Sequence, residues 1–230
     1  MSTVNSSENN LVTNTNLSYY RIRKWIGTFG LLLPILLPLF SGEMLSSISH
    51  YYYSVSGIIF TSLLMLIGVF LASYRGYDKI DNAITWIGGV AISLVAIIPT
   101  PYENCTDLGP TPICVSEHDV IFGFLPVGSI HFGGAVLFFI CMAIMSIRQF
   151  TQGDLTMPGK KMRNMIYYIC GYGILFTIVF AGIMIYGFHK DEGTNFIFWV
   201  EVVMLVFFAA AWLLKGKVLN DLKQGLLKMT

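Results

Sequence analysis

Long apolar runs, separated by short polar segments, make up most of this chain. Each run is close to the roughly 20 residues that a helix needs to cross the hydrocarbon core of a bilayer. Lipid offers no partner to an open strand edge, and no run alternates as a barrel strand does. The pattern therefore predicts an all-α membrane protein. Its six transmembrane helices are expected over residues 22–40, 56–73, 83–98, 127–147, 165–188 and 195–214.

The polar flanks of these runs set the expected domain boundaries. Residues 1–18 are rich in Ser, Asn and Thr and contain no apolar run, which predicts a disordered segment. The first run is long enough to span and lacks a signal-peptide cleavage pattern, so it is expected to stay in the mature protein. We expect a cytoplasmic segment 1–18, a transmembrane domain 19–216 and a cytoplasmic tail 217–230.

Composition and charge agree with a membrane protein and give it an orientation. The chain is 55% hydrophobic and 12% charged, whereas about a quarter of a soluble domain is charged. Of the 14 Lys and Arg, all except Lys190 fall on one side of the predicted bundle. Such an excess marks the cytoplasmic side. Both termini are therefore predicted in the cytoplasm, and the protein in the plasma membrane or bacterial inner membrane.

The same charge pattern bears on partners. No clustered basic stripe typical of nucleic-acid binding is present, so no nucleic-acid partner is expected. Membrane lipid is the expected partner, and assembly into a homo-oligomer is left open.

The longest outer loop, residues 100–126, contains two cysteines. Cys105 and Cys114 fall on the non-cytoplasmic side, where a disulfide is the simplest interpretation. Closing so short a loop would contribute about 2–3 kcal/mol in the chain-entropy picture. The pair does not have the CxxC spacing of a metal site.

One carboxyl group lies inside a predicted span. Glu201 falls about 9 Å below the outer end of the sixth run, at 1.5 Å per residue. A carboxylate at that depth is costly, so such residues usually face a partner or water. His131 lies at a comparable depth, and Ser49 and His50 precede the second run. Glu201, His131, Ser49 and His50 are therefore predicted to line a polar ligand-binding cavity open to the outer leaflet.

Three functions remain open for such a cavity. The first is binding of a lipid or lipophilic ligand; the second is metal-assisted intramembrane hydrolysis by His131 and Glu201. The third is proton-coupled transport or channel activity, with Glu201 as the titrating group. No HExxH, GxSxG, Walker or Rossmann motif is present. We therefore prefer the first function, expect no metal or cofactor, and assign no catalytic residue.

Several scattered stretches resemble a bacterial family of six-span membrane proteins defined by a domain of unknown function. More distantly, that family is similar to the Frag1/DRAM/Sfk1 membrane proteins of eukaryotes. The stretches are SISHYY (47–52), GVFL (68–71), YRGYD (74–78), IPT (98–100), IHF (130–132) with FF (138–139), FWVE (198–201) and WLLKG (212–216). The resemblance implies a six-span fold and retains His131 and Glu201. The family often has Asp at His50 and His at Tyr53, so the resemblance assigns no role to either position.

Overall fold

The structure, a computed structural model, consists almost entirely of helices. It describes residues 2–102, 114–116, 118–121, 123–156, 158–189 and 194–217, with side chains from Tyr20 onwards. The α-helices are α1 (Ser2–Ser41), α2 (Gly57–Ser73), α3 (Lys79–Ile97), α4 (Val127–Ile144), α5 (Lys160–Phe188) and α6 (Phe196–Lys215). A 3-10 turn (Ser49–Tyr53) precedes α2, and a π turn (Met145–Gln149) extends α4. Two short antiparallel strands, β1 (Val120–Ile121) and β2 (Leu125–Pro126), precede α4.

The helices confirm the all-α prediction, but several begin earlier than their apolar runs. The backbone of α1 is helical from Ser2. This helix includes the segment 1–18, whose predicted disorder stays a prediction. α3 begins at Lys79 because Asp78 caps it, its carboxylate accepting a hydrogen bond from the Asp81 amide at 2.8 Å. α5 begins at Lys160, ahead of the predicted 165.

Five of the helices are long and apolar enough to cross a membrane. They are α1 from Tyr20, α3, α4 with its π turn, α5 and α6. α2 is a shorter apolar helix of 17 residues. By length and composition these helices fit an integral membrane protein.

The helices pack as a closed ring in chain order. Each contacts the next, and α6 returns to contact α1. Glycines allow the closest approaches: a Cβ on Gly30 of α1 would lie 2.5 Å from the Phe208 ring of α6. Between α2 and α3, a Cβ on Gly68 would lie 2.9 Å from the Gly89 carbonyl oxygen. Small residues of this kind let helix backbones pack tightly in membrane proteins.

Consecutive helices alternate in direction, so the ring has two chemically different ends. The end of α1 and the starts of α2, α4 and α6 lie at one end, called the serine end after residues 46–49. The residue Tyr20, the start of α5 and the last turn of α6 lie at the other, called the basic end. The predicted site residues are at the serine end.

Candidate functional site

The loop between α1 and α2 is fixed by two buried tyrosines. Tyr51 is fully buried, and its hydroxyl donates to the Glu43 carbonyl at 2.8 Å and accepts from the Leu45 amide at 3.1 Å. Tyr53 donates to the carbonyl of Thr100 at 2.8 Å. These bonds hold the 3-10 turn against the ends of α1 and α3. Residues 46–49, here called the serine segment, are thereby presented to α4 and α6.

The serine segment binds the first two turns of α6. The Phe198 amide, which lacks a partner within its own helix, donates to the Ser46 carbonyl at 2.9 Å. In return, the Ser47 hydroxyl and the Ile48 amide donate to Oε2 of Glu201 at 2.9 and 2.6 Å. The carboxyl group of Glu201 therefore faces protein, and its desolvation is offset by two hydrogen bonds.

The serine segment also binds α4 through His131. This side chain is 4% exposed, and its Nδ1 lies 2.5 Å from the Ile98 carbonyl while its Nε2 lies 2.9 Å from the Ser49 hydroxyl. Because a carbonyl oxygen can only accept, Nδ1 carries the proton. In the neutral imidazole Nε2 is then an acceptor, and the Ser49 hydroxyl donates to it.

Glu201 and His131 meet on the same short segment without a direct hydrogen bond in the described residues. The Ser49 amide donates to the Ser47 hydroxyl at 3.0 Å, which connects their two partners. The Ser49 side chain also lies beside the carboxylate. We call Glu201, His131, Ser47 and Ser49 the serine site. The structure thus brings three of the four predicted residues together, with Ser47 added.

His50, the fourth predicted residue, makes a separate set of contacts. Its Nδ1 lies 2.9 Å from the Ser46 hydroxyl, and its ring stacks on Tyr102 with centroids 4.2 Å apart. Burial, and secondarily the proximity of His131, lowers the pKa of His50 to about 4. His50 is therefore neutral and packs within the loop as an aromatic ring rather than serving as a cation.

The carboxylate of Glu201 retains binding capacity. In the described part of the chain both of its hydrogen bonds end on Oε2, and the residue is only partly buried. A carboxylate has two oxygens and accepts several hydrogen bonds. Neither of these two bonds uses Oε1.

Metal binding and a disulfide are the other two kinds of chemistry that the sequence allows. Across the described ranges, no group of three or more His, Cys, Asp or Glu side chains could hold a metal ion. Cys105 lies outside the described residues, so its pairing with Cys114 stays a prediction. Cys141 and Cys170 are buried free thiols within α4 and α5, as expected for cysteines in apolar spans.

Sequence reasoning missed Ser47 and a charged cluster at the basic end. The run Ser46 to Ser49 signals a polar segment, but only the 3-10 turn decides which hydroxyl meets Glu201. At the basic end, Arg148 binds Asp78 at 2.8 Å and the buried Asp81 at 3.1 Å. The signal in the sequence is Asp81, a carboxylate just ahead of the third apolar run.

Comparison with known proteins gives no match: no family model, no curated protein and no solved structure is similar to this chain at a significant level.

Proposed function

We propose that the chain crosses the membrane six times, with both termini and the basic end in the cytoplasm. Five helices have the length and apolarity of spans. With 17 residues, α2 is about 26 Å long at 1.5 Å per residue, close to the roughly 27 Å core of a thin bilayer. The distribution of Lys and Arg supplies the orientation. A cell membrane, plasma or bacterial inner, is the location that this proposal implies.

We further propose that the protein binds a membrane lipid at the serine site. The observation that carries this proposal is a partly buried carboxylate whose hydrogen bonds from Ser47 and Ile48 both end on one oxygen. We infer that the other oxygen accepts a hydrogen bond from the ligand. The matching ligand group is a donor, such as a headgroup hydroxyl or ammonium. The proposed family resemblance is compatible, because SISHYY and FWVE both contribute to this site.

Lipid retention by the purified protein tests this function. The wild-type protein, extracted in mild detergent, is expected to carry a lipid with a hydroxyl- or amine-bearing headgroup, detected by native mass spectrometry. Glu201→Gln keeps the shape but turns one acceptor oxygen into a donor, and we expect retention to fall by roughly tenfold. Glu43→Gln makes the same change at an exposed position of the same end and should leave retention unchanged. Equal retention by wild type and Glu201→Gln, or equal loss in both variants, would contradict the proposal.

Two other outcomes would support the alternative functions. Zinc that copurifies with the protein and is lost in His131→Ala would favour the metal-assisted hydrolase. Proton flux in liposomes that disappears in Glu201→Gln would favour the transporter or channel.

We also propose that Cys105 and Cys114 form a disulfide on the outer side, where thiols are oxidised. Mass spectrometry of peptides prepared without reductant should recover the linked pair. Recovery of both cysteines as free thiols from membranes kept under oxidising conditions would rule this pairing out.

A further inference from the structure

A cavity lies at the basic end, apart from the serine site. The cavity has a volume of ≈ 490 Å³ and lies between Tyr20 and Arg23 of α1, the start of α5, the end of α6 and the loop after the π turn. Its wall includes five cationic side chains, Arg23, Lys160, Arg163, Lys215 and Lys217. Ligand pockets commonly have volumes of this size.

Two of these cations are held against each other by one carbonyl group. Lys160 and Lys215 both donate to the Phe150 carbonyl oxygen, at 3.5 and 3.1 Å. Their two ammonium nitrogens therefore lie close together around one acceptor. Lys160 also donates to the Gln152 carbonyl at 2.5 Å. Each ammonium has three donors, so donors remain on both. Like charges this close in a partly buried site repel strongly.

Aromatic rings complete the wall around these lysines. The Lys215 ammonium lies 5.3 to 5.9 Å from the ring centroids of Tyr77, Phe150 and Tyr167. Lys217 lies 4.2 Å from the Tyr20 ring. Such rings attract a cation through their negative faces but do not neutralise its charge. They therefore fix the positions of the cations and leave the cavity positive.

Within the described ranges, nearby carboxylates do not balance this charge. Both ion pairs within the described ranges belong to Arg148, including the one to Asp81, which also attracts Lys215. Asp154, the carboxylate in the wall, accepts from the Thr156 amide and hydroxyl at 2.8 and 2.7 Å. The lining thus holds five cations and one carboxylate that is already bound within its own loop.

We propose that this cavity binds a phosphate group that carries more than one negative charge. A single carboxylate would leave most of the five cations unbalanced, whereas a phosphomonoester presents three acceptor oxygens. Arg23 and Arg163 provide planar donor groups suited to phosphate, and the lysines provide point charges. The cavity lies where the helices of the bundle end, so the phosphate could belong to a lipid headgroup or to a free phosphorylated molecule.

Full-length protein in phosphatidylcholine nanodiscs distinguishes these two sources. In one arm phosphatidic acid is included in the bilayer; in the other, sodium pyrophosphate is added to the buffer. We expect at least one ligand to raise the thermal unfolding temperature in a dose-dependent manner. A response to phosphatidic acid alone identifies a lipid headgroup, and a response to pyrophosphate alone identifies a free phosphate. No response in either arm would overturn the proposal.

Charge-removing variants distinguish phosphate binding in the cavity from general attraction to a basic surface. Arg163→Gln and Lys217→Gln change its less buried cations, which avoids disturbing the buried Lys160. For each variant, we expect the ligand concentration needed to shift the unfolding temperature to rise by roughly tenfold, because one charge-assisted hydrogen bond is lost. Lys161→Gln removes the same charge from an exposed neighbour that does not line the cavity, and it should respond as wild type does. Equal weakening in all three variants would show non-specific attraction and overturn the proposal.

Discussion

At the scale of single residues, the serine site shows how an ionisable group is accommodated within an apolar helix. Glu201 would be costly in α6 without partners, and the loop before α2 supplies two donors to one of its oxygens. That loop is itself held by Tyr51 and Tyr53. The position of Glu201 thus depends on residues about 150 positions away in the sequence.

Removing a single donor from Glu201 should measurably destabilise the protein. We expect Ser47→Ala to lower the free energy of unfolding by about 1–3 kcal/mol, because it leaves a partly buried carboxylate short of a hydrogen bond. Unfolding in mixed detergent–SDS micelles measures the effect. Ser73→Ala, at an exposed position at the end of α2, should stay within about 0.5 kcal/mol of wild type. Equal free energies of unfolding for Ser47→Ala and wild type would show that this hydrogen bond does not stabilise the fold.

His50 should make the stability sensitive to acid. Its pKa falls from 6.5 to about 4 on folding because burial disfavours the cation. The unfolded chain therefore binds more protons between these values, and stability is lost as the pH falls from 6.5 towards 4. His50→Asn can keep a hydrogen bond to Ser46 but cannot take up a proton. The dependence of unfolding free energy on pH should be shallower in this variant; an unchanged slope would exclude His50 as its source.

Sequence reasoning reached part of this site. The depth of Glu201 in an apolar run marks it as a residue that needs a partner, and His131 and Ser49 lie at the same end of their segments. Ser47 could not be selected over its neighbours, because hydroxyls at 46, 47 and 49 look alike until the 3-10 turn sets their directions. His50 is adjacent to the site in sequence, yet it turns towards Ser46 and Tyr102.

At the scale of elements, the α2–α3 contact depends on the absence of side chains. A Cβ on Gly68 would lie 2.2 Å from the Ser93 hydroxyl oxygen and 2.9 Å from the Gly89 carbonyl oxygen. We expect Gly68→Ala to cost about 1–3 kcal/mol by overpacking, measured by the same micelle unfolding. Gly133→Ala is the matched control, because a Cβ there meets nothing within 4 Å in the described structure. Equal effects of the two substitutions would contradict the proposed close packing.

The apolar runs predicted the existence of all six helices better than their ends. Span rules count apolar residues, so they miss turns such as the start of α3, where Lys79, Asp81 and Asn82 follow the Asp78 cap. The π turn after α4 was also not visible in the sequence. Its backbone bond from the Phe150 amide to the Met145 carbonyl, 2.9 Å long, precedes the Phe150 carbonyl that accepts from both lysines.

At the scale of the whole molecule, closure of the ring creates the features that the sequence could not show. Short connections make consecutive helices neighbours, but contact of α6 with α1 depends on side-chain fit at glycines such as Gly27 and Gly30. That contact brings Arg23 and Lys215 to one cavity. The charge count had placed these residues on one side of the membrane without bringing them together.

We propose that one bundle presents its serine end outside and its basic end in the cytoplasm. Epitope tags test this most directly, with antibody labelling of intact cells compared with permeabilised cells. Tags at the N-terminus, and separately at the C-terminus, should label only after permeabilisation, whereas a tag inserted between Asp107 and Pro112 should label in intact cells. Labelling of either terminus in intact cells, or protection of the 107–112 tag, would contradict the six-span account and the placement of both sites.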